Sequence, residues 1–71
     1  MSRWVRAAEE QPPKSGLYMV RRRMRGRRIE EDVCRYDRMP AGGCWLRPKG
    51  KGGFAPTDTV EEWLREGSGD D

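Results

Sequence analysis

The sequence predicts a mainly β fold: a three- to five-stranded antiparallel sheet or meander that ends in a short C-terminal strand or a helical turn. Two observations favour it. Apolar residues fall in short clusters, "SGLYMV", "DVCRY", "GCWL" and "VEEWL", which are separated by turn-forming and charged residues. The clusters are rich in aromatic and β-branched residues, which favour strands. A small α+β fold is the alternative, because the last cluster also fits a helix.

Strands are predicted in the first half of the chain at residues 17–23 and 29–36. Residues 4–10 form either a helical turn or an irregular strand, and the two prolines that follow end it. "LYMVRRR" lacks a helix-capping residue and is predicted to be a strand. Gly26 marks a turn, after which "IEEDVCRY" is predicted to be the next strand.

The second half is predicted to hold one short strand, "CWLR", between two loops, "DRMPAGG" and "PKGKGGF". "APTD" is predicted to be a turn. Residues 58–66 stay open between strand and helix, since Val60, Trp63 and Leu64 have helical spacing but no clean alternation. Residues 1–66 are expected to form one small domain, and residues 67–71 a disordered acidic tail.

Two registers suit the predicted hairpin. The first places Tyr18 opposite Tyr36 and Val20 opposite Cys34. The second, shifted by two residues, pairs arginines 21 and 22 with glutamates 31 and 30. Either one sets the acids of "EED" against the arginines of "RRR", and each such cross-strand pair stabilises by roughly 0.2–1 kcal/mol. The first register gathers four apolar groups on one face, and the choice between the two registers stays open. The predicted core is Tyr18, Val20, Cys34, Tyr36, Trp45, Val60 and Trp63.

The charge is distributed unevenly along the chain. Residues 1–28 carry nine basic and two acidic side chains, whereas residues 29–71 carry six basic and ten acidic ones. At the hairpin tip, three arginines are expected to have no nearby acid, and two lysines lie in the glycine-rich loop. A solvated turn is one interpretation; contact with phosphate or an acidic partner is the other. The candidate contact residues are Arg25, Arg27, Arg28, Lys49 and Lys51.

The composition argues against an enzyme. The chain has no histidine, which removes the usual general base and the commonest metal ligand. Cys34 and Cys44 are too few to complete a zinc site and are expected to be free thiols in a reducing cytoplasm. We therefore expect no catalytic residue, metal or cofactor. No apolar run is long enough to span a membrane, so a cytoplasmic protein without membrane contact is expected.

The order of segments resembles a small domain of unknown function that is common in phage and prophage genomes. The matching features run from residue 4 to residue 64: Trp4, the acids Glu9 and Glu10, the prolines before Gly16, "LYMV", "CRYD", Trp45 and "VEEWL". The family usually continues into Leu-Pro, whereas this chain has Arg65 after Leu64. The resemblance implies a small β-rich accessory protein and transfers no active site.

Three functional hypotheses follow. The first is a non-enzymatic binding module, a phage or mobile-element accessory protein that acts on a host protein or nucleoprotein, for instance as an inhibitor of a defence complex. The second is a nucleic-acid-binding domain that uses the basic hairpin tip and the "KGKGG" loop. The third is a structural domain with no activity of its own.

Overall fold

The computed structural model describes residues 2–66 as one antiparallel sheet of six strands. The predicted mainly β class is confirmed, with one strand more than the largest number expected. A short 3₁₀ turn, Arg25–Arg27, joins the second and third strands. The spatial order of the strands is β1-β6-β2-β3-β4-β5. Their bounds are β1, Ser2–Arg6; β2, Gly16–Arg23; β3, Ile29–Met39; β4, Gly42–Pro48; β5, Phe54–Pro56; and β6, Val60–Glu66.

The structure resolves the segments that the sequence left open. Residues 2–6 form a strand rather than a helical turn, and residues 60–66 form a strand rather than a helix. β5 was assigned to a loop and a turn in the sequence prediction, which is wrong, because Phe54–Pro56 pairs with the end of β4. The predicted acidic tail, 67–71, lies outside the described residues. Within the described chain, no helix is long and apolar enough to cross a membrane.

The central hairpin adopts the second of the two predicted registers. Tyr18 lies opposite Cys34, not opposite Tyr36, so the first register is wrong by two residues. The pairs of Arg21 with Glu31 and of Arg22 with Glu30 belong to the alternative register. The physical reason is the turn: its three residues are centred on Gly26, whose φ of 76° suits a residue without a Cβ atom.

A β-bulge in β6 explains its irregular sequence pattern. Val20 is paired with Trp63 and Arg22 with Val60, so two glutamates, Glu61 and Glu62, lie opposite the single residue between those two pairs. The extra residue turns both Val60 and Trp63 towards the same face of the sheet. Their spacing of three therefore arises from a bulged strand and not from a helix.

The sheet curls strongly, because β5 is joined to β6 across three other strands by a connection of only three residues. Thr57 donates its backbone N–H to Trp45 in β4, and Thr59 accepts from the N–H of Arg23 in β2. Neighbouring strands lie about 4.8 Å apart, so β5 and β6 would be about 19 Å apart in a flat sheet. Four Cα–Cα steps reach at most about 15 Å. The connection therefore crosses the concave side, and we call this side the inner face and the other the outer face.

The inner face holds the hydrophobic core. Tyr18 stands at its centre, with its ring edge-on to Trp63 at 5.6 Å and to Trp45 at 6.0 Å. Tyr36 packs against Trp45 at 5.0 Å. The seven residues that the sequence assigned to the core all lie here, joined by two from the N-terminal part. The buried set is Val5, Ala7, Val20, Cys34, Tyr36, Trp45 and Trp63, with Tyr18 and Val60 partly buried against it.

The segment between β1 and β2 covers the open side of this core. Trp63 donates its indole N–H to the carbonyl of Glu10 at 2.9 Å, and Tyr18 donates its hydroxyl to the carbonyl of Lys14 at 2.8 Å. Pro12, within the segment, is fully buried. Trp63 and Tyr18 thus each gain a partner for their polar atom, whereas the buried indole N–H of Trp45 has none among the described residues.

The two cysteines lie on opposite faces and are both free. Cys34 is buried in the core next to Val20, whereas Cys44 is half-buried on the outer face, opposite Asp37. Burial raises the pKa of the Cys34 thiol above its ordinary value, while Arg22 nearby lowers it to a smaller extent. The Cys34 thiol is therefore kept neutral and away from solvent in the folded chain.

We expect one fast and one slow thiol. In a reaction of the native protein with an aromatic disulfide reagent, Cys44 should react first, and Cys34 only as fast as the domain unfolds. The pKa of Cys34 is higher in the folded chain than in the unfolded chain. The contribution of this thiol to the stability of the domain is therefore fully present below the unfolded pKa and is lost as the pH rises through the folded pKa. Thermal melts of the parent and of Cys34→Ala should therefore converge at alkaline pH. Equal reaction rates for both thiols would contradict the burial of Cys34.

Candidate binding surfaces

The outer face of the sheet exposes apolar side chains. In the described chain, six large apolar residues are strongly exposed, and strand register places all six on this one face. Leu17 is the most exposed of them at 60%. Two lie on β2, three on β3 and one on β5: Leu17, Met19, Ile29, Val33, Met39 and Phe54. An apolar surface that is confined to one face is typical of a docking site rather than of scattered surface residues.

One cross-strand row of apolar side chains crosses the outer face from one edge strand to the other. Trp4 pairs with Leu64, Met19 with Val33, and Pro48 with Phe54. These three pairs lie at the same level of the sheet. Extending the β2–β6 register by one residue brings Leu64 beside Met19, and extending the β3–β4 register by two residues brings Val33 beside Pro48. We call these six residues the apolar row: Trp4, Leu64, Met19, Val33, Pro48 and Phe54.

A row of alternating charges lies directly beside the apolar row. Arg6 is the cross-strand partner of Glu62, Glu62 of Arg21, and Arg21 of Glu31. Arg21 donates to Glu62 at 2.9 Å, and its guanidinium lies 4.0 Å from the ring centre of Trp4. The arginine thus ties the charged row to the apolar one through a cation–π contact.

The outer face has no net charge over residues 2–65. Besides the alternating row, Arg23 forms an ion pair with Glu61, and Arg35 pairs with Asp37 at 2.8 Å. Basic and acidic side chains are therefore balanced on this face, although the whole chain is basic. The surplus positive charge lies elsewhere.

The fates of the first three arginines correct the sequence prediction. The acids of "EED" were expected to neutralise them, but only Arg22 forms an ion pair there, with Asp32 at 2.7 Å. Arg21 and Arg23 are paired with the two glutamates of the β6 bulge instead. Arg22 is largely buried and also donates to the hydroxyl of Thr59, so it links β2, β3 and the crossing connection.

The five candidate contact residues lie at one end of the sheet. The β2–β3 turn carries three of them and the β4–β5 loop the other two; antiparallel order places both connections at the same end. Arg28 was predicted to lack a nearby acid, which is wrong, because it lies 3.4 Å from Glu30. Within residues 2–65, Arg25, Arg27, Lys49 and Lys51 form no ion pair with an acidic side chain.

The apolar row was not predicted as a functional surface. A partial signal is present in the sequence, since Met19 lies between the core residues Tyr18 and Val20 in β2, and Val33 directly precedes the core residue Cys34 in β3. A strand of a one-sided sheet normally carries polar residues at these positions. A strand with apolar residues on both faces indicates that both faces are covered.

Comparison with known proteins identifies no relative. A scan against protein-family models, a search of curated proteins and a search of solved structures all returned no match to this chain. The resemblance to the phage domain therefore remains a prediction from sequence.

Proposed function

We propose that this protein is a non-enzymatic binding module that docks the apolar row of its outer face onto a partner protein. The observation that carries the proposal is the row itself: each of the six strands contributes one apolar side chain to the same level of the outer face, and three of these, Met19, Val33 and Phe54, are strongly exposed. Burying a side chain such as Met19 or Val33 contributes about 1.5–3 kcal/mol. Each of them exposes more than two fifths of its surface before docking.

The chemistry of the face favours a protein with an apolar, electrically neutral surface. Aromatic residues and methionine are enriched in the centres of protein interfaces, and unpaired charges are depleted there. Trp4, Met19 and Phe54 fit that pattern, and the neighbouring charges are balanced. The molecule measures 35 × 27 × 22 Å, so one of its sides is as large as the roughly 800 Å² that one partner contributes to a standard interface.

The resemblance to the phage domain supports a host protein in the cytoplasm as that partner. A small module without an active site acts on such a partner by occupying one of its surfaces. Both the phage origin and the cytoplasmic location belong to the proposal.

The test is a paired charge substitution in the middle of the row. Met19 and Val33 are cross-strand partners, so Met19→Lys/Val33→Glu replaces two apolar groups by a pair of opposite charges that supports the sheet. We expect a partner captured from nuclease-treated host lysate by the parent to be lost with this variant. The affinity of the purified partner should fall by about 2–4 kcal/mol, as is typical of interface hot spots.

The matched control is Ile29→Lys/Met39→Glu. These two residues lie on the same face but at the two ends of β3, outside the row, and each is about half exposed. The control variant should keep the partner. Retention of the partner by the row variant, or its loss with both variants, contradicts the proposal. Sedimentation of the parent separates one further outcome, since a concentration-dependent dimer that the row variant abolishes identifies a second copy as the occupant.

A further inference from the structure

We propose that the basic end of the sheet binds the phosphate backbone of a nucleic acid. The basic end consists of the β2–β3 turn, residues 25–28, and the β4–β5 loop, residues 49–53. This inference is independent of the outer face, since the two surfaces use different residues and different chemistry.

Unpaired positive charge is concentrated at this end. Arg25 and Arg27 in the turn, and Lys49 and Lys51 in the loop, have no acidic partner within 4.0 Å among residues 2–65. All four are exposed to solvent. Of the eight basic side chains that have no acidic partner among residues 2–65, these four share one end of the sheet, whereas the other four are spread over separate segments: Arg3, Lys14, Arg38 and Arg47. Such an uncompensated basic patch attracts a polyanion.

The two connections are placed to follow an extended anion. β3 begins about four residues beyond the level at which β4 ends, since Val33 lies level with Pro48. At about 3.3 Å per residue, the turn projects about 13 Å past the start of the loop. That distance corresponds to roughly four nucleotides along one strand of a duplex. One nucleic-acid strand can therefore contact both connections.

The composition of the basic end favours phosphate over an acidic protein. Protein interfaces need an apolar centre that excludes water, and lysine is depleted from such centres. Residues 25–28 and 49–53 contain only arginine, lysine and glycine. Contacts with a phosphate backbone need only positioned charges and exposed backbone N–H groups. The glycines of the loop leave its backbone unshielded by side chains, although the N–H groups of Lys49 and Gly52 are already bonded within the loop.

The conformation of Arg27 adds an independent observation. Its φ is 66°, and it is the one non-glycine residue of the described chain with a positive φ. A glycine would occupy this position without strain, so the arginine is held there at a cost to the fold. Residues in strained backbone conformations cluster at functional sites. The substitution Arg27→Gly consequently removes a charge without harming the turn.

The experiment measures fluorescence anisotropy of a labelled oligonucleotide of about 15 nucleotides, single-stranded and as a duplex, against the full chain at several salt concentrations. Four phosphate contacts predict a slope of log affinity against log salt of about −2.8 for the single strand and −3.6 for the duplex. The turn variant Arg25→Ser/Arg27→Gly and the loop variant Lys49→Ser/Lys51→Ser should each halve the slope and weaken binding at least about tenfold at 50 mM salt. The turn variant should melt no lower than the parent.

The control variant is Arg3→Ser/Lys14→Ser, which also removes two positive charges, but at positions away from the basic end. It should bind almost as the parent does. The proposal is overturned if neither form of the oligonucleotide shows salt-dependent binding at 50 mM salt, or if the control weakens binding as much as the site variants do. Equal affinity for polyglutamate also overturns it and identifies an acidic protein as the ligand.

Discussion

Trp63→Ala is expected to leave the chain largely unfolded at room temperature. Trp63 is 1% exposed, packs edge-on against Tyr18, and lies in β6 between the core valines of β1 and β2. Truncating a buried tryptophan to alanine costs about 3–5 kcal/mol. A chain of this length has a total stability of about 4–11 kcal/mol at 0.05–0.15 kcal/mol per residue. For a domain whose stability lies near the lower end of this range, the substitution therefore removes most or all of the free energy of unfolding.

Trp4→Ala is the matched control for this prediction. The two tryptophans lie on adjacent strands but point to opposite faces, and Trp4 is only half-buried. Its removal loses mainly the contact with Arg21, about 0.5–1 kcal/mol at an exposed site. Urea unfolding followed by circular dichroism measures both variants. Similar midpoints for Trp63→Ala and the parent would show that the core is not built around Trp63.

Gly43→Ala is expected to have the second-largest effect. Gly43 lies on the inner face of β4, and a Cβ atom added there would overlap the ring and hydroxyl of Tyr36. Tyr36 is 1% exposed and packs against Trp45, so its ring has no free space to move into. Forcing extra atoms into a packed core costs about 1–3 kcal/mol, and more when the neighbours cannot relax. We expect a loss at or above the upper end of that range, measured by chemical denaturation.

Two further variants show whether the clash is the cause. Gly50→Ala adds the same methyl group where nothing lies within 4 Å, so its stability should change by less than about 0.5 kcal/mol. In the background Tyr36→Leu, which lacks the ring, Gly43→Ala should destabilise much less than it does in the parent. A double-mutant cycle gives this coupling directly. Additive effects in the cycle would locate the damage elsewhere.

The central hairpin could be predicted from sequence because its signals are local. Apolar and β-branched residues on both sides of Gly26 specify two strands and a turn. The register could not be decided from apolar and charge pairing, since both candidates gather apolar groups and set arginines against acids. The turn decides it, and a three-residue turn centred on glycine favours the observed pairing. Weighing turn geometry above pairing would have selected the correct register.

The outer strands could not be predicted because their signals are not local. Among the described strands β1 pairs only with β6, whose residues follow about 60 positions later. The spacing of Val60 and Trp63 is equally consistent with a helix and with a bulged strand, and only the pairing with β2 distinguishes them. β5 has three residues, one of them proline, so its sequence is that of a loop until β4 is beside it.

The basic end was predicted from the sequence and the apolar row was not, for a related reason. The cations of the basic end are visible as a charge cluster in the sequence, and topology only had to bring the two connections to one end. Arg21 and Arg23, by contrast, find their acids in β6, far along the chain. The apolar row is built from six strands, so no short window of the sequence contains it.

The position of β6 between β1 and β2 has a consequence for how the chain folds. The strand that occupies the interior of this half of the sheet is the last of the six in chain order, and β1 has no other neighbour. Until β6 inserts, β1 lies unattached and one edge of β2 presents unpaired amide and carbonyl groups. Contacts between residues so distant in sequence slow folding, and the open edge accepts a strand from any chain nearby. Two copies that exchange β6 at high concentration would each complete the other's sheet with the same hydrogen bonds. The result would be a domain-swapped dimer whose interface consists of the contacts that β6 makes with β1 and β2 in the monomer.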